Sequence, residues 1–241
     1  MLNNNDLKLR TEELTENPTA RVPVYLVLDT SYSMKGEKIN ELNSALAEFV
    51  HAVQEDEMAA ISAEIAVVTF GGSVTQILDF SSIERQHMPV LQANGNTPMG
   101  EAVELALDQL EQTKRIYSKM GVDYFQPWLV LMTDGEPTDS INEAVTRCRQ
   151  LIMERPQKLT LFPVAIGSDA NLDILGQFSP SLLPFRANAA IFRQFFSWLA
   201  KSINTVSTSN PGDTSSASFG ETSFKKHQLD WETAMKQSGG S

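Results

Sequence analysis

Four nearly continuous apolar runs of strand length, VPVYLVL (22–28), EIAVVTF (64–70), WLVLMT (128–133) and LTLFPVAIG (159–167), alternate along the chain with stretches of helical periodicity. A strand that is apolar on both faces has to be covered on both, which is the pattern of a parallel sheet buried between helices. The intervening stretches supply the cover. Ile39, Leu42, Leu46, Phe49, Val50 and Val53 keep to one stripe; so do Val103, Ala106, Leu107 and Leu110, and Ile141, Ala144, Val145, Cys148 and Ile152. Strand and helix in alternation imply a doubly wound α/β fold with a mostly parallel sheet and helices on both faces. One segment departs from the rhythm: Gly71-Gly72 stands between two strand-like runs, so SVTQILDF is expected to return as an antiparallel edge strand. Pro163 lacks the N–H that a ladder needs and predicts a bulge or an unpaired edge in its strand.

A chain of 241 residues can bury the core of one large α/β domain, read as residues 21–206. Residues 1–20 are read as an N-terminal arm. The last strong helix pattern, AIFRQFFSWLAKSINTV, puts Phe192, Phe195, Phe196, Leu199, Ile203 and Val206 on its buried side. The composition then changes to STSNPGDTSSASFGETS, and residues 207–241 are read as a flexible linker and C-terminal tail. Phe224, Leu229, Trp231 and Met235 are isolated apolar anchors in that tail, and Trp231 is a candidate for docking on a partner, against the alternative of an idle tail.

Lys and Arg number 19 against 30 for Asp and Glu, a net charge of −11. Such a surface repels phosphate backbones and anionic lipid, which argues against nucleic acid or a membrane surface as partner. The N-terminal stretch has no apolar core of signal-peptide length, and no run reaches the length of a membrane span, so a cytoplasmic location is expected. Cys148 is the single cysteine; it excludes an intramolecular disulfide and agrees with a reducing compartment. Its place on an apolar stripe predicts a buried structural thiol.

Asp29 ends the first apolar run and is followed at alternate positions by Ser31 and Ser33. In an open parallel sheet, ligands bind where the strands end at their carboxyl side and loops converge. Three polar segments fall at such places: DTSYS after the first strand, TDGEPTD after WLVLMT, and QANGNTPMGEA leading into the helix that begins near Gly100. If the first and fourth strands are neighbours, Asp29 and Asp134 approach each other and the Thr97 loop can close over them. Alone, Asp29, Ser31 and Ser33 would read as a helix N-cap. With Thr97 and Asp134 they read as a divalent-metal site. Carboxylates and hydroxyls are hard donors suited to Mg²⁺, Mn²⁺ or Ca²⁺, whereas His51, His87 and His227 are scattered and offer no zinc site. Neutral hydroxyls leave much of the cation's charge uncompensated, and an acidic side chain of a partner protein can supply the missing anion. Glu136 and Asp139 are expected as solvated turn residues or as a cap for the helix starting near Ile141.

These residues carry a resemblance. DTSYSM fits the DxSxS pattern of von Willebrand factor A domains, Thr97 in NGNTPMGEA matches the family's separate threonine, and Asp134 in MTDGEPTD matches its second aspartate. Together they resemble the five positions of the metal-ion-dependent adhesion site, and the resemblance covers residues 20–206 with a Rossmann-like fold. Within the family, RVPVYLVLDTSYSM and NTPMGEA look most like bacterial TerY-type proteins linked to tellurium resistance and stress response. That likeness implies a cytoplasmic partner-binding domain, in some relatives associated with a kinase and a phosphatase. It also implies that the hydroxyls of Ser31, Ser33 and Thr97 contact the metal, that Asp29 and Asp134 act directly or through water, and that one position is left for a partner's Asp or Glu. Tyr32 stands where many relatives have glycine and is expected to shape the rim of the site.

The function so implied is a noncatalytic adaptor that binds an acidic partner through a Mg²⁺-type ion. Two alternatives stand beside it. One is a metal-dependent phosphotransferase or phosphohydrolase with Asp29 as nucleophile, weakened because Ser31 occupies the place of a second acid and no phosphate-binding glycine loop is present. The other is a scaffold that docks through the C-terminal tail.

Overall fold

The computed structural model describes residues 4–83, 86–154, 158–211 and 214–238. Its elements in chain order are α1 (Asn4–Glu16), β1 (Val22–Asp29), a short 3-10 turn (Tyr32–Met34), α2 (Glu37–Glu55), α3 (Glu57–Ser62), β2 (Ala63–Gly71) and β3 (Ser73–Leu78). There follow α4 (Met99–Met120), β4 (Trp128–Thr133), α5 (Asn142–Met153), β5 (Thr160–Ile166), α6 (Leu172–Phe178), β6 (Phe185–Ala187), α7 (Ala189–Ser207) and α8 (Thr214–Ser238).

The four apolar runs become the four central strands of a sheet ordered β3-β2-β1-β4-β5-β6. β1 pairs in parallel with β2 and β4, and β4 with β5; β3 is antiparallel to β2 at the edge, reached through the turn at Gly72. Because side chains alternate along a strand, β1 sends Val22, Val24, Leu26 and Leu28 into one core and Tyr25 and Val27 into the other. The first core lies under α2 and α7, the second under α4, α5 and α6. Both faces are therefore covered, as the two-sided apolarity of the strands requires. Pro163 pairs with Leu131 of β4, while β6 pairs with β5 only from Val164 onward. The proline thus sits beside an unpaired flank, one of the two arrangements expected for it.

Two terminal segments differ from the sequence reading. The N-terminal arm contains α1, whose Arg10 and Leu14 are buried. Arg10 Nη2 and Arg21 Nε donate to the two oxygens of the buried Glu64, at 2.7 and 3.2 Å, and the Tyr117 hydroxyl adds a third bond of 2.5 Å. Glu64 is the second residue of β2 and Arg21 precedes β1, so this cluster ties α1 to the strand starts, at the opposite end of the sheet from the polar loops.

The C-terminal segment, expected as a flexible linker and tail, carries the long helix α8 from Thr214 onward. Phe224, Gln228 and Trp231 are buried, at spacings of four and three residues that form one helical face. Phe224 meets Phe162, Phe185 and Trp198 at ring-centroid distances of 5.1, 5.4 and 5.4 Å, and Trp198 Nε1 donates to Ser223 Oγ at 2.9 Å. A fully buried phenylalanine contributes about 1.5–3 kcal/mol, enough to order a helix whose own sequence is poor in apolar residues. Met235 lies outside the residues whose side chains are described.

Candidate metal centre

The chain order of the sheet reverses direction between β1 and β4, and such a switch point opens a crevice at the carboxyl ends of the two strands. Asp29 is the last residue of β1 and Asp134 directly follows β4. Asp29 is fully buried; its Oδ1 accepts from the Ser31 N–H at 2.7 Å and its Oδ2 from the Thr133 hydroxyl at 2.5 Å. Burial pushes the Asp29 carboxyl up from its ordinary value, and the bonds from Thr133 and Ser31 pull it back only in part.

In front of Asp29 runs a row of oxygens. Ser31 Oγ is 2.9 Å from Ser33 Oγ, and Ser33 Oγ donates to Asp134 Oδ1 at 2.6 Å. Ser31, Thr97 and Asp134 are buried while Ser33 is exposed, so the row meets solvent at its middle member. Thr97 enters from the loop before α4. Its main chain is clamped to Thr138 by two bonds, N–H to Thr138 Oγ1 at 3.1 Å and Thr138 N–H to its carbonyl at 2.9 Å. A methyl group placed on Gly135 would lie 3.5 Å from Ser33 Oγ and 3.8 Å from Thr97 Oγ1. Both hydroxyls therefore face one small space that the glycine leaves free.

The loops are held by close backbone contacts. The Tyr32 N–H donates to Gly95 O at 2.9 Å, the Asn94 N–H to Thr30 O at 2.8 Å, and the Gly72 N–H to Asn96 O at 2.8 Å. Gly95 has φ +71°, and a side chain there would stand 2.3 Å from the Gly72 Cα, so both the conformation and the approach demand glycine. Asp139, expected in a turn or as a cap for α5, instead caps α4: its two oxygens accept from the N–H groups of Gly100 at 3.1 Å and Glu101 at 2.8 Å. Glu136 accepts from Asn171 Nδ2 at 2.6 Å and takes no part in the row.

Five predicted ligands thus occupy one crevice, with Asp29 behind and Ser31, Ser33, Thr97 and Asp134 in front. The donor set fits a hard divalent cation: two carboxylates, three hydroxyls and a free space between them. Among the described residues no cluster of three His, Cys, Asp or Glu side chains is arranged for a metal, so nothing competes with this mixed oxygen set. Tyr32 is 65% exposed at the rim, with Lys35 Nζ 5.1 Å from its ring centroid. Trp231, read as a possible partner contact, is 4% exposed and packs on Phe185 at 5.3 Å, inside the protein's own aromatic core.

Two participants escaped the sequence reading. Thr133 carried no signal beyond its place before Asp134. Lys38 did: it lies in the first turn of α2, where a cation opposes the positive end of the helix dipole and calls for a carboxylate nearby. Its Nζ is 2.5 Å from Asp134 Oδ2.

Comparison with known proteins agrees with this architecture. A family model described as von Willebrand factor type A domain matches residues 24–190. Human inter-alpha-trypsin inhibitor heavy chain H6 is 22% identical over 165 residues, which are 67% of this chain but 13% of that protein. The von Willebrand factor domain of the type V pili tip protein Mfa5 from Porphyromonas gingivalis has a TM-score of 0.57 at 13% identity, covering 80% of this chain and 98% of that one. The manganese-loaded TRAP protein of Plasmodium vivax has a TM-score of 0.52 at 18% identity, covering 72% of this chain and 71% of that one. At these identities the solved structures bear on the fold.

Proposed function

Because the chain belongs to the von Willebrand factor type A domain family, we propose that it is a noncatalytic, metal-dependent protein-interaction module. A divalent ion held by Ser31, Ser33, Thr97, Asp29 and Asp134 would bind a carboxylate of a partner protein. The observation that carries this reading is the row Ser31, Ser33, Asp134, whose oxygens stand 2.9 and 2.6 Å apart at a solvent-open crevice. The ion, when bound, supplies residual positive charge for an acidic side chain.

This chain's residues do the rest. Asp29 fixes the turn through the Ser31 N–H, Thr133 holds Asp29, and Thr138 holds the Thr97 loop. Tyr32 and Lys35 form an exposed rim for the partner to cover. Hard donors favour Mg²⁺, with Mn²⁺ or Ca²⁺ able to use the same oxygens, and the manganese-loaded TRAP neighbour supports a divalent ion. The likeness to TerY-type proteins supports a kinase or phosphatase of a tellurite or stress-response system as the partner.

The phosphotransferase alternative finds less support. Asp29 is fully buried behind the row with a hydrogen bond on each oxygen, a setting that suits support of an ion through water better than in-line attack on a phosphoryl group. The tail-docking alternative loses two of its anchors, since Phe224 and Trp231 are buried, and keeps Leu229, which is 67% exposed.

The test is calorimetric titration of Mg²⁺ and Mn²⁺ into the full chain and into Ser33→Ala and Thr97→Ala, followed by partner capture in Mg²⁺ and in EDTA. We expect both variants to keep the wild-type circular dichroism spectrum and to lose metal affinity by about tenfold or more. Partner capture should require the metal. Unchanged metal affinity in both variants would remove the basis of the proposal.

A further inference from the structure

Resting on the metal-site reading above, we propose that Lys38 is a tethered cation that competes with the divalent ion for Asp134. Metal binding then requires the ammonium to release the carboxylate.

Three observations converge on this. The first is the ion pair itself: Lys38 Nζ stands 2.5 Å from Asp134 Oδ2, with the Asp134 side chain fully buried and that of Lys38 31% exposed. The other oxygen of the same carboxylate takes the Ser33 hydroxyl, so Lys38 neutralises a member of the oxygen row itself. The second is the position of Lys38 in the first turn of α2. A lysine there is disfavoured by the helix dipole and gains its compensation from Asp134. The third is the space made for its stem. A side chain on Gly167 would begin 3.2 Å from Lys38 Cε and 3.7 Å from Nζ, and Gly167 has φ +81°. The end of β5 therefore presents a bare backbone against which the lysine stem lies.

The consequence follows from charge. A divalent ion using Asp134, directly or through one water, comes within about 6 Å of an ammonium that stays on the same carboxylate, and two cations so close in a half-buried crevice repel strongly. The lysine can yield because its stem is flexible and part of it already meets solvent. Without metal, the ammonium keeps Asp134 paired and the row assembled. With metal, Lys38 swings outward to solvent, where its charge stays beside the site that an acidic partner meets. The lysine would thus set the metal concentration at which the adhesion surface forms.

The experiment titrates Mn²⁺ alone, followed by electron paramagnetic resonance, into the full chain and into Lys38→Met, Lys38→Arg and Asp134→Asn, with thermal unfolding of each protein in EDTA. Competition predicts opposite signs for Lys38→Met: Mn²⁺ bound about tenfold or more tightly than by wild type, and a lower Tm in EDTA. Lys38→Arg keeps the charge and should stay near wild type, and Asp134→Asn should lose binding. Equal or weaker Mn²⁺ binding by Lys38→Met, with wild type still binding, would overturn the role of Lys38 and leave the metal site standing. Absence of Mn²⁺ binding in both wild type and Lys38→Met would overturn the metal site and the competition together.

Discussion

Ser33 Oγ donates a 2.6 Å hydrogen bond to Asp134 Oδ1 across 101 residues of chain. The contact exists because β1 and β4 are neighbours in a register that sets Leu28 opposite Met132. That register also puts Asp29 beside Thr133, whose hydroxyl binds the Asp29 carboxylate at 2.5 Å. A slip of one residue would turn each side chain to the other face and dismantle the front and back of the crevice together.

Thr133→Val keeps the shape and removes the donor to Asp29 Oδ2 and the acceptor for the Gly135 N–H. A buried carboxylate left short of a donor costs about 1–3 kcal/mol. The urea midpoint of the metal-free protein should fall accordingly, and Thr133→Ser should recover most of it. An unchanged midpoint for Thr133→Val would mean that Asp29 finds another donor.

Asp139→Ala should destabilise the protein by about 1 kcal/mol through loss of the α4 cap. Because α4 starts two residues after Thr97, the same change should also weaken metal binding while circular dichroism stays native. Loss of stability with unaltered metal affinity would show that the cap and the Thr97 loop are independent.

Phe224→Ala and Trp231→Ala should each cost about 3–5 kcal/mol in chemical denaturation, as large-to-small changes in a packed core do. A tail that merely hung from the domain would show almost no effect. The pair therefore tests whether α8 is part of the folded unit.

Burial pushes the Cys148 thiol up to about 12, against a smaller opposing pull from Arg147. In the unfolded chain the thiol ionises near its ordinary value of 9.0, well before it does in the folded protein. The folded state thus binds the proton more tightly: its contribution to stability is complete below pH 9 and is lost as pH rises toward 12. Denaturation midpoints of wild type minus Cys148→Ala should be flat below that window and decline within it. At neutral pH the native thiol should resist a thiol reagent that labels it freely in denaturant.

The central strands were legible because each is apolar on both faces, and the antiparallel edge because two glycines separate two strand-like runs. β6 was not, since three residues of Phe185–Ala187 are too few to show a period and are recruited only by pairing with Val164–Ile166. α8 was hidden by its composition: Phe224 and Trp231 fit one helical face, but what makes that face bury is the aromatic surface of Phe162, Phe185, Phe195 and Trp198. The acidic residue Asp139 was visible as a capping type, yet the helix it caps lies 38 residues away in sequence.

The residue types of the crevice and the fold class were already determined by the sequence. Two-sided apolar runs force a covered parallel sheet, and hydroxyls and carboxylates at strand ends are hard oxygen donors wherever they meet. Only the tertiary structure decided which of those oxygens stand in front and which behind, that Lys38 occupies Asp134, and that Trp231 faces inward. Local patterns record what a segment can bury or donate. Partners far apart in the chain are chosen by strand register and packing, which no local pattern contains.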